Sequence, residues 1–277
     1  MGTNPNYIIS AADERYFRSF LQLYHSYIQT EEFNNSGFIF YDIGLNSEQR
    51  VYLKELQSKS SHNFISHKFG FENYPEFVKL KYKTYSWKPI IIQEVINQKE
   101  ANILWLDSAN IILKNLKSIW NVISETGSYV PFSGSGTLDE WTVQETLDYM
   151  NVPQHWYGKR NRAGNTCGFS HSNKVIKEVI EKWRELALIK ECIKPEGANR
   201  SNHRDDQSLL SILLMEAAEK DNLTLTDDEV DISSWNPTSF ISVRNFVSPS
   251  IPESLNVLTI PYFKVVRQID MLINRLF

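Results

Sequence analysis

The stretch Ala101-Asn102-Ile103-Leu104-Trp105-Leu106-Asp107 decides the fold class. Its nearly continuous apolar run has the pattern of a strand buried on both faces of a parallel sheet, and it closes on a carboxylate. In open α/β sheets ligands bind outside the carboxyl ends of the strands, so Asp107 is a site candidate. Outward from this strand, Tyr7 to Ala12 reads as another, with Asp13 as N-cap of a helix whose Phe17, Phe20, Leu21, Tyr24, Tyr27 and Ile28 recur at helical spacing. Gly37 to Leu45 and Asn63 to Ser66 read as further strands, and Ser47 opens a polar helix through about Leu56. Pro89, suited to a first helical position, starts a helix through Ile92, Val95 and Ile96. Strands are expected near Tyr129 to Phe132 and Thr166 to Ser170, with helices from Ser172 and after Asp206. This alternation predicts a single α/β domain, Rossmann-like, with a mostly parallel central sheet flanked by helices.

The expected boundary divides residues 1–261, the α/β domain, from 262–277, a C-terminal amphipathic helix carrying Tyr262, Val265, Val266, Ile269, Leu272, Ile273 and Leu276. That helix can pack on the sheet, pair with a second copy as a homodimer, or lie on a membrane surface.

With 277 residues, 42 % hydrophobic and 13 % aromatic, and only 11 Gly and 10 Pro, the chain has material for a sizeable core. Collagen, disulfide scaffold and disordered tail are excluded. Lys and Arg total 29 against 33 Asp and Glu, a net charge of -4, which lacks the basic excess of a nucleic-acid binder. Cys167 and Cys192 are too few for a disulfide framework and read as reduced, buried thiols. No apolar run approaches the roughly 20 residues of a spanning helix. The start Met1-Gly2-Thr3-Asn4-Pro5-Asn6 has no basic region leading into an apolar one, so a cytoplasmic or otherwise soluble protein is expected.

Several side chains suit chemistry on an anion. Asp107 is a hard oxygen ligand for Mg²⁺ or Mn²⁺ on a diphosphate, or it closes the turn into Asn110. Lys88 stands at a helix N-terminus, where a cation is poorly placed unless a phosphate or carboxylate lies nearby. Asp205 and Asp206 open an apolar helix, as first-turn acids often do, but Arg204-Asp205-Asp206-Gln207 as a block adds an amide suited to sugar hydroxyls. Arg200, His203 and Arg204 share one polar loop; Lys159, Arg160 and Arg162 read as a charged surface loop. Asp42 reads as a turn residue at a strand end. Trp141, Trp156, Tyr157 and Trp235 offer faces for acceptor sugars, or core packing.

Tyr7-Ile8-Ile9-Ser10-Ala11-Ala12-Asp13 with Tyr16, Trp87-Lys88-Pro89, Leu104-Trp105-Leu106-Asp107-Ser108-Ala109, Asn165-Thr166-Cys167-Gly168-Phe169 and His203-Arg204-Asp205-Asp206-Gln207-Ser208 together span most of the chain. In these segments it resembles the GT-A nucleotide-sugar glycosyltransferases, especially glycogenin-like members. The resemblance implies a nucleoside diphosphate sugar donor, with uridine favoured, and a hydroxyl acceptor on a glycan, protein or small molecule. It implies that Ala11, Ala12, Asp13 and Tyr16 receive the base, that Lys88, Ser108 and Arg204 serve the diphosphate, and that Asp107 binds Mn²⁺ or Mg²⁺. Asp206, Asp205 and Gln207 then carry the catalytic role beside the donor sugar. Ala109 stands where the DxD motif of that family has its second carboxylate, and a His-Gly-Lys segment near the C-terminus is missing. A catalytically inactive nucleotide- or glycan-binding module is the alternative that Ala109 supports; a nucleotidyltransferase is another, though its Gly-rich phosphate loop is absent.

Overall fold

The computed structural model describes residues 6–30, 32–60, 63–230, 240–243 and 246–247. The expected helix at 262–277, with its dimer reading, and Trp235 lie outside the described residues. In chain order the elements are β1 (Asn6–Ala12), α1 (Phe17–Ile28), α2 (Glu32–Asn35), β2 (Gly37–Asp42), α3 (Ser47–Lys59), β3 (Phe64–Lys68), α4 (Trp87–Lys99), β4 (Asn102–Leu106), β5 (Ile111–Ile112) and α5 (Lys117–Thr126). There follow β6 (Ser128–Tyr129), β7 (Phe132–Thr137), α6 (Gln144–Tyr149), β8 (Arg160–Arg162), β9 (Thr166–Phe169), α7 (Lys174–Ala187), α8 (Lys190–Ile193), α9 (Asp206–Lys220) and β10 (Ile241–Ser242).

Six strands form the main sheet in the order β3-β2-β1-β4-β9-β6, while β5 with β10 and β7 with β8 make two-stranded ribbons. β2 and β3 are parallel, with Phe38 opposite Phe64 and Asp42 opposite Lys68. The sheet is mixed at its edge, where the two-residue β6 runs antiparallel to β9, Ser128 facing Phe169. Between α5 and β6 stands Gly127, whose φ of +93° favours glycine and whose added Cβ would lie 2.3 Å from the Asn173 amide nitrogen.

The described residues divide into two compact units. The first holds residues 8–68, 106–117, 230, 240–243 and 246–247. Its core is aromatic: Phe20 of α1 meets Phe40 of β2 with centroids 3.9 Å apart and packs near Phe38 and Phe64. Helix α1 starts at Phe17, because the Asp13 carboxylate accepts the Tyr16 N–H at 3.0 Å and spends three residues on a turn before the helix. Asp13 therefore holds the approach rather than the N-cap. Helix α3 is capped by Asn46 and Gln49, each accepting the other's backbone N–H.

The second unit holds residues 6–7, 69–105 and 118–229. The first two turns of α4 are buried nearly all round, through Trp87, Lys88, Pro89, Ile90, Ile91 and Ile92, with Val95 and Ile96 buried beyond them. α9 is likewise buried from Asp206 to Met215 except at Gln207. Such helices are interior ones, and their chain starts bring polar side chains inside. α4 begins two residues before Pro89, so Lys88 lies in its first turn. β9 passes between α5 and β4 at Gly168, where an added Cβ would lie 2.4 Å from Ile123 Cδ1 and 3.3 Å from Leu104 Cδ1. Both cysteines are buried and outside any disulfide, as expected.

Gly168→Ala is expected to lose about 1–3 kcal/mol in urea unfolding, the usual cost of overpacking. Adding Ile123→Val, which removes the clashing Cδ1, should recover part of that loss.

Candidate active site

In the second unit, two buried helix starts meet. Lys88 is 4 % exposed and Asp206 4 % exposed. The Lys88 ammonium lies 3.1 Å from Asp206 Oδ2 and donates to the Gly164 carbonyl at 2.8 Å. Trp105 and Tyr85 present ring faces to the same ammonium, with centroids at 5.6 and 5.9 Å. The cation at the start of α4 thus has a carboxylate beside it, one of the two anions its position calls for. Asp206, in the first turn of α9, has the sign that a helix N-terminus favours, and its carbonyl accepts the Trp183 indole N–H at 2.9 Å. Gln207 is partly exposed, and its Cβ lies 3.0 Å from where a Cβ on Gly164 would stand. Gly164, which the sequence reading passed over, therefore touches Gln207 while bonding Lys88.

The residues before Asp206 are held from two sides. Arg204 stacks on Trp141, its guanidinium carbon 3.8 Å from the ring centroid, and its N–H donates to the Trp141 carbonyl at 3.1 Å. Beneath Trp141 lies Gly136, with φ +77°, where any Cβ would come within 1.8 Å of the indole nitrogen. Asp205 has φ +48° and ψ −117°, a conformation that costs an L-residue about 1–3 kcal/mol. Its carboxylate, in a residue that is buried as a whole, meets Lys194 Nζ at 2.8 Å. Burial pushes the Asp205 carboxyl up, with the Lys194 ammonium pulling against it. No pattern in the sequence marks Lys194.

His203 is fully buried; its Nδ1 accepts the Val143 N–H at 3.4 Å, so Nε2 carries the hydrogen and donates to the Ile193 carbonyl at 2.9 Å. Both ring nitrogens are thereby committed to backbone. Burial holds this imidazole down to about 4. The basic cluster read as a charged surface loop is instead partly internal: Arg160–Arg162 form β8, and Arg162 is 6 % exposed. Arg162 donates to the Val130 and Thr226 carbonyls and lies 3.9 Å from the Phe132 ring centroid. Trp156 is buried and donates to Glu219 at 2.7 Å, a packing role rather than an open face.

In the first unit, Ala11 and Ala12 end β1 in the buried core, and Asp13 and Tyr16 form the turn after it. Tyr16 meets Phe246 edge to face at 5.0 Å. Asp42 has the turn role expected of it, accepting from Gly44 and Leu45 N–H at 2.9 and 2.7 Å and from Arg50 at 2.7 Å. Asp107 follows β4 directly, partly exposed, and its carbonyl accepts the Asn110 N–H at 2.9 Å; Ser108 beside it is buried. Among the described residues no group of three or more His, Cys, Asp and Glu is placed to hold a metal ion. Among them, too, no helix is long and apolar enough to cross a membrane.

No curated protein matches the sequence. A family model described as a protein of unknown function (DUF1647) matches residues 3–93. Among solved structures, the chain is similar to the galactosyltransferase LgtC bound to donor and acceptor sugar analogues, with a TM-score of 0.54, 13 % identity, and 95 % of each chain covered. It is similar to an apo mouse xyloside xylosyltransferase 1, with a TM-score of 0.54, 10 % identity, and 91 % of this chain and 100 % of that one covered. An LgtC active-site variant with glutamine changed to glutamate matches with a TM-score of 0.51 and 11 % identity over 90 % of this chain and 98 % of that one. The fold is that of the GT-A glycosyltransferases, a mixed central sheet flanked by helices.

The depressed His203 pKa makes stability depend on pH with a definite sign. Between about 4 in the folded chain and 6.5 in the unfolded one, the unfolded state binds the extra proton. Its contribution is full above pH 6.5 and falls as pH drops toward 4. Denaturation of His203→Gln across this range should show a shallower loss of stability on acidification than the unaltered chain.

Proposed function

We propose that this chain is a glycosyltransferase that moves a sugar from a nucleoside diphosphate sugar to a hydroxyl acceptor, a hexose carried by uridine diphosphate being the favoured donor. The observation that carries this reading is the buried Lys88–Asp206 pair beside Gly164 and Gln207. A buried ion pair contributes little net stability, because the desolvation of both charges offsets their attraction. Held charges in a dry setting are worth most where charge develops during a reaction. A fold shared with sugar-transferring enzymes supports the reading.

In the transfer, the bond between the anomeric carbon and the diphosphate oxygen breaks with its electron pair leaving on the diphosphate. The acceptor oxygen bonds to that carbon and gives up its proton. Asp206, paired with the Lys88 ammonium, either takes that proton, or faces the positive charge gathering on the ring while the departing diphosphate oxygen takes the proton. Asp205, bonded to Lys194, is the less available carboxylate. Gln207 supplies an amide to sugar hydroxyls, and Arg204 a guanidinium to the departing diphosphate. Ala11, Ala12, Asp13 and Tyr16 take the base, as the resemblance implies.

Asp107 and Ser108 offer one carboxylate and one hydroxyl. That donor set fits Mn²⁺ or Mg²⁺ only when diphosphate oxygens and water complete the shell, the habit of a cation bound through substrate phosphates. When bound, the ion would neutralise charge on the leaving diphosphate. The inactive binding module, favoured by Ala109, shares every contact but turns nothing over.

A panel of nucleoside diphosphate sugars, followed by melting temperature and nucleotide release, tests the reading. Uridine diphosphate at a hundred times its dissociation constant should add about 2.7 kcal/mol, and no nucleotide effect at millimolar concentration would reject it. Binding without release would support the inactive module instead. Mn²⁺ should raise the melting temperature only when the nucleotide is present, and Asp107→Asn should abolish that increment. Asp206→Asn should cut transfer by about a hundredfold or more with nucleotide affinity retained; unchanged turnover would remove Asp206 from the mechanism.

A further inference from the structure

We infer that Lys194 is a positioning residue: its ion pair with Asp205 clamps a strained backbone turn and so fixes the Asp206 carboxylate against Lys88. The inference rests on the transferase reading for its functional half and on geometry alone for its structural half. Asp205 is a non-glycine residue at φ +48° and ψ −117°, directly before the first residue of α9. A residue there relaxes unless its surroundings hold it. Contacts at the residue itself, upstream and downstream hold this one. Lys194 Nζ lies 2.8 Å from Asp205 Oδ1, with the carboxylate side chain 3 % exposed. Upstream, Arg204 is fastened by its bond to the Trp141 carbonyl and its stack on the ring. Downstream, Gln207 N–H bonds the Arg204 carbonyl at 3.0 Å and Trp183 bonds the Asp206 carbonyl at 2.9 Å.

Of these, only the Lys194 bond acts on the strained residue's own side chain. If the turn relaxed, ψ of Asp205 would change and the α9 start would rotate, carrying Asp206 away from the ammonium 3.1 Å distant. The clamp explains why aspartate occupies a position whose backbone suits glycine: glycine adopts the turn freely but also leaves it freely, whereas aspartate enters it only under restraint. Lys194 is 21 % exposed at its side chain and belongs to none of the groups assigned to donor or acceptor.

Four forms of the full chain test this: unaltered, Lys194→Met, Asp205→Gly, and both changes together. Lys194→Met should lower kcat about tenfold or more while the donor KM stays within about twofold. Lys194→Arg should keep kcat near the unaltered value. Asp205→Gly, alone or with Lys194→Met, should retain more turnover than Lys194→Met, since glycine needs no clamp to adopt the turn. The double form also answers the case in which Lys194→Met does not fold, because it leaves no buried charge unpaired. Loss of turnover in Asp205→Gly as deep as in Lys194→Met, or an effect of Lys194→Met on melting temperature alone, overturns the inference.

Amide exchange in the ligand-free protein reads the clamp without turnover. Exchange over Arg204 to Leu209 should quicken by about tenfold in Lys194→Met and less in the double form. Unchanged exchange overturns the clamp even if transfer is observed. Quickened exchange with no transfer by the unaltered chain upholds the clamp and rejects the transferase reading.

Discussion

The second unit is organised around a lysine ammonium that the fold takes out of water and sets 3.1 Å from a carboxylate. Neither charge is tolerable alone at 4 % exposure, so the starts of α4 and α9 must be placed together for either helix to be buried. The rest follows from that constraint. Gly164 lacks a side chain because its carbonyl must reach the ammonium while its α-carbon lies against Gln207. Lys88 opens a helix against the usual charge preference, and the α9 carboxylate answers it.

This arrangement separates what the chain does for stability from what it does for chemistry. The first unit's core is a packed set of rings around Phe20, where burial of apolar area is the main stabilising contribution. The second places polar groups in its interior at several points: Lys88 on Asp206, Lys194 on Asp205, His203 between two backbone groups, Arg162 on two carbonyls. Each has a partner, as buried polar groups must, and Lys88, Lys194 and His203 meet the chain at the entry to α9.

Much of the fold is legible in the sequence. The apolar run ending at Asp107 reads directly as an interior strand, and β1, β2, α7 and α9 lie where periodicity puts them. Boundaries shifted where local hydrogen bonds outcompete simple signals: Asp13 spends its carboxylate on a turn, and α4 starts before Pro89 because proline tolerates any position in a first turn. The turn from α5 into β6 uses a positive φ at Gly127 that hydropathy does not reveal. At the site, charge logic correctly demands an anion near Lys88, and the block at Arg204 to Gln207 stands out by composition. The partners came from far along the chain. Lys194 and Gly164 have no local signature, and Arg160 to Arg162 look solvated until β8 carries Arg162 inward beside Phe132.

The Gly136, Trp141 and Arg204 stack gives the protein an optical handle. The indole lies against a backbone that tolerates no Cβ at Gly136 and stacks on the Arg204 guanidinium. Any displacement of the loop that carries Arg204 strips a cation from one face of the ring and admits water to it. Emission from Trp141 is thus coupled to the geometry of the residues just before Asp206, so the chain carries its own fluorophore for motion in that loop.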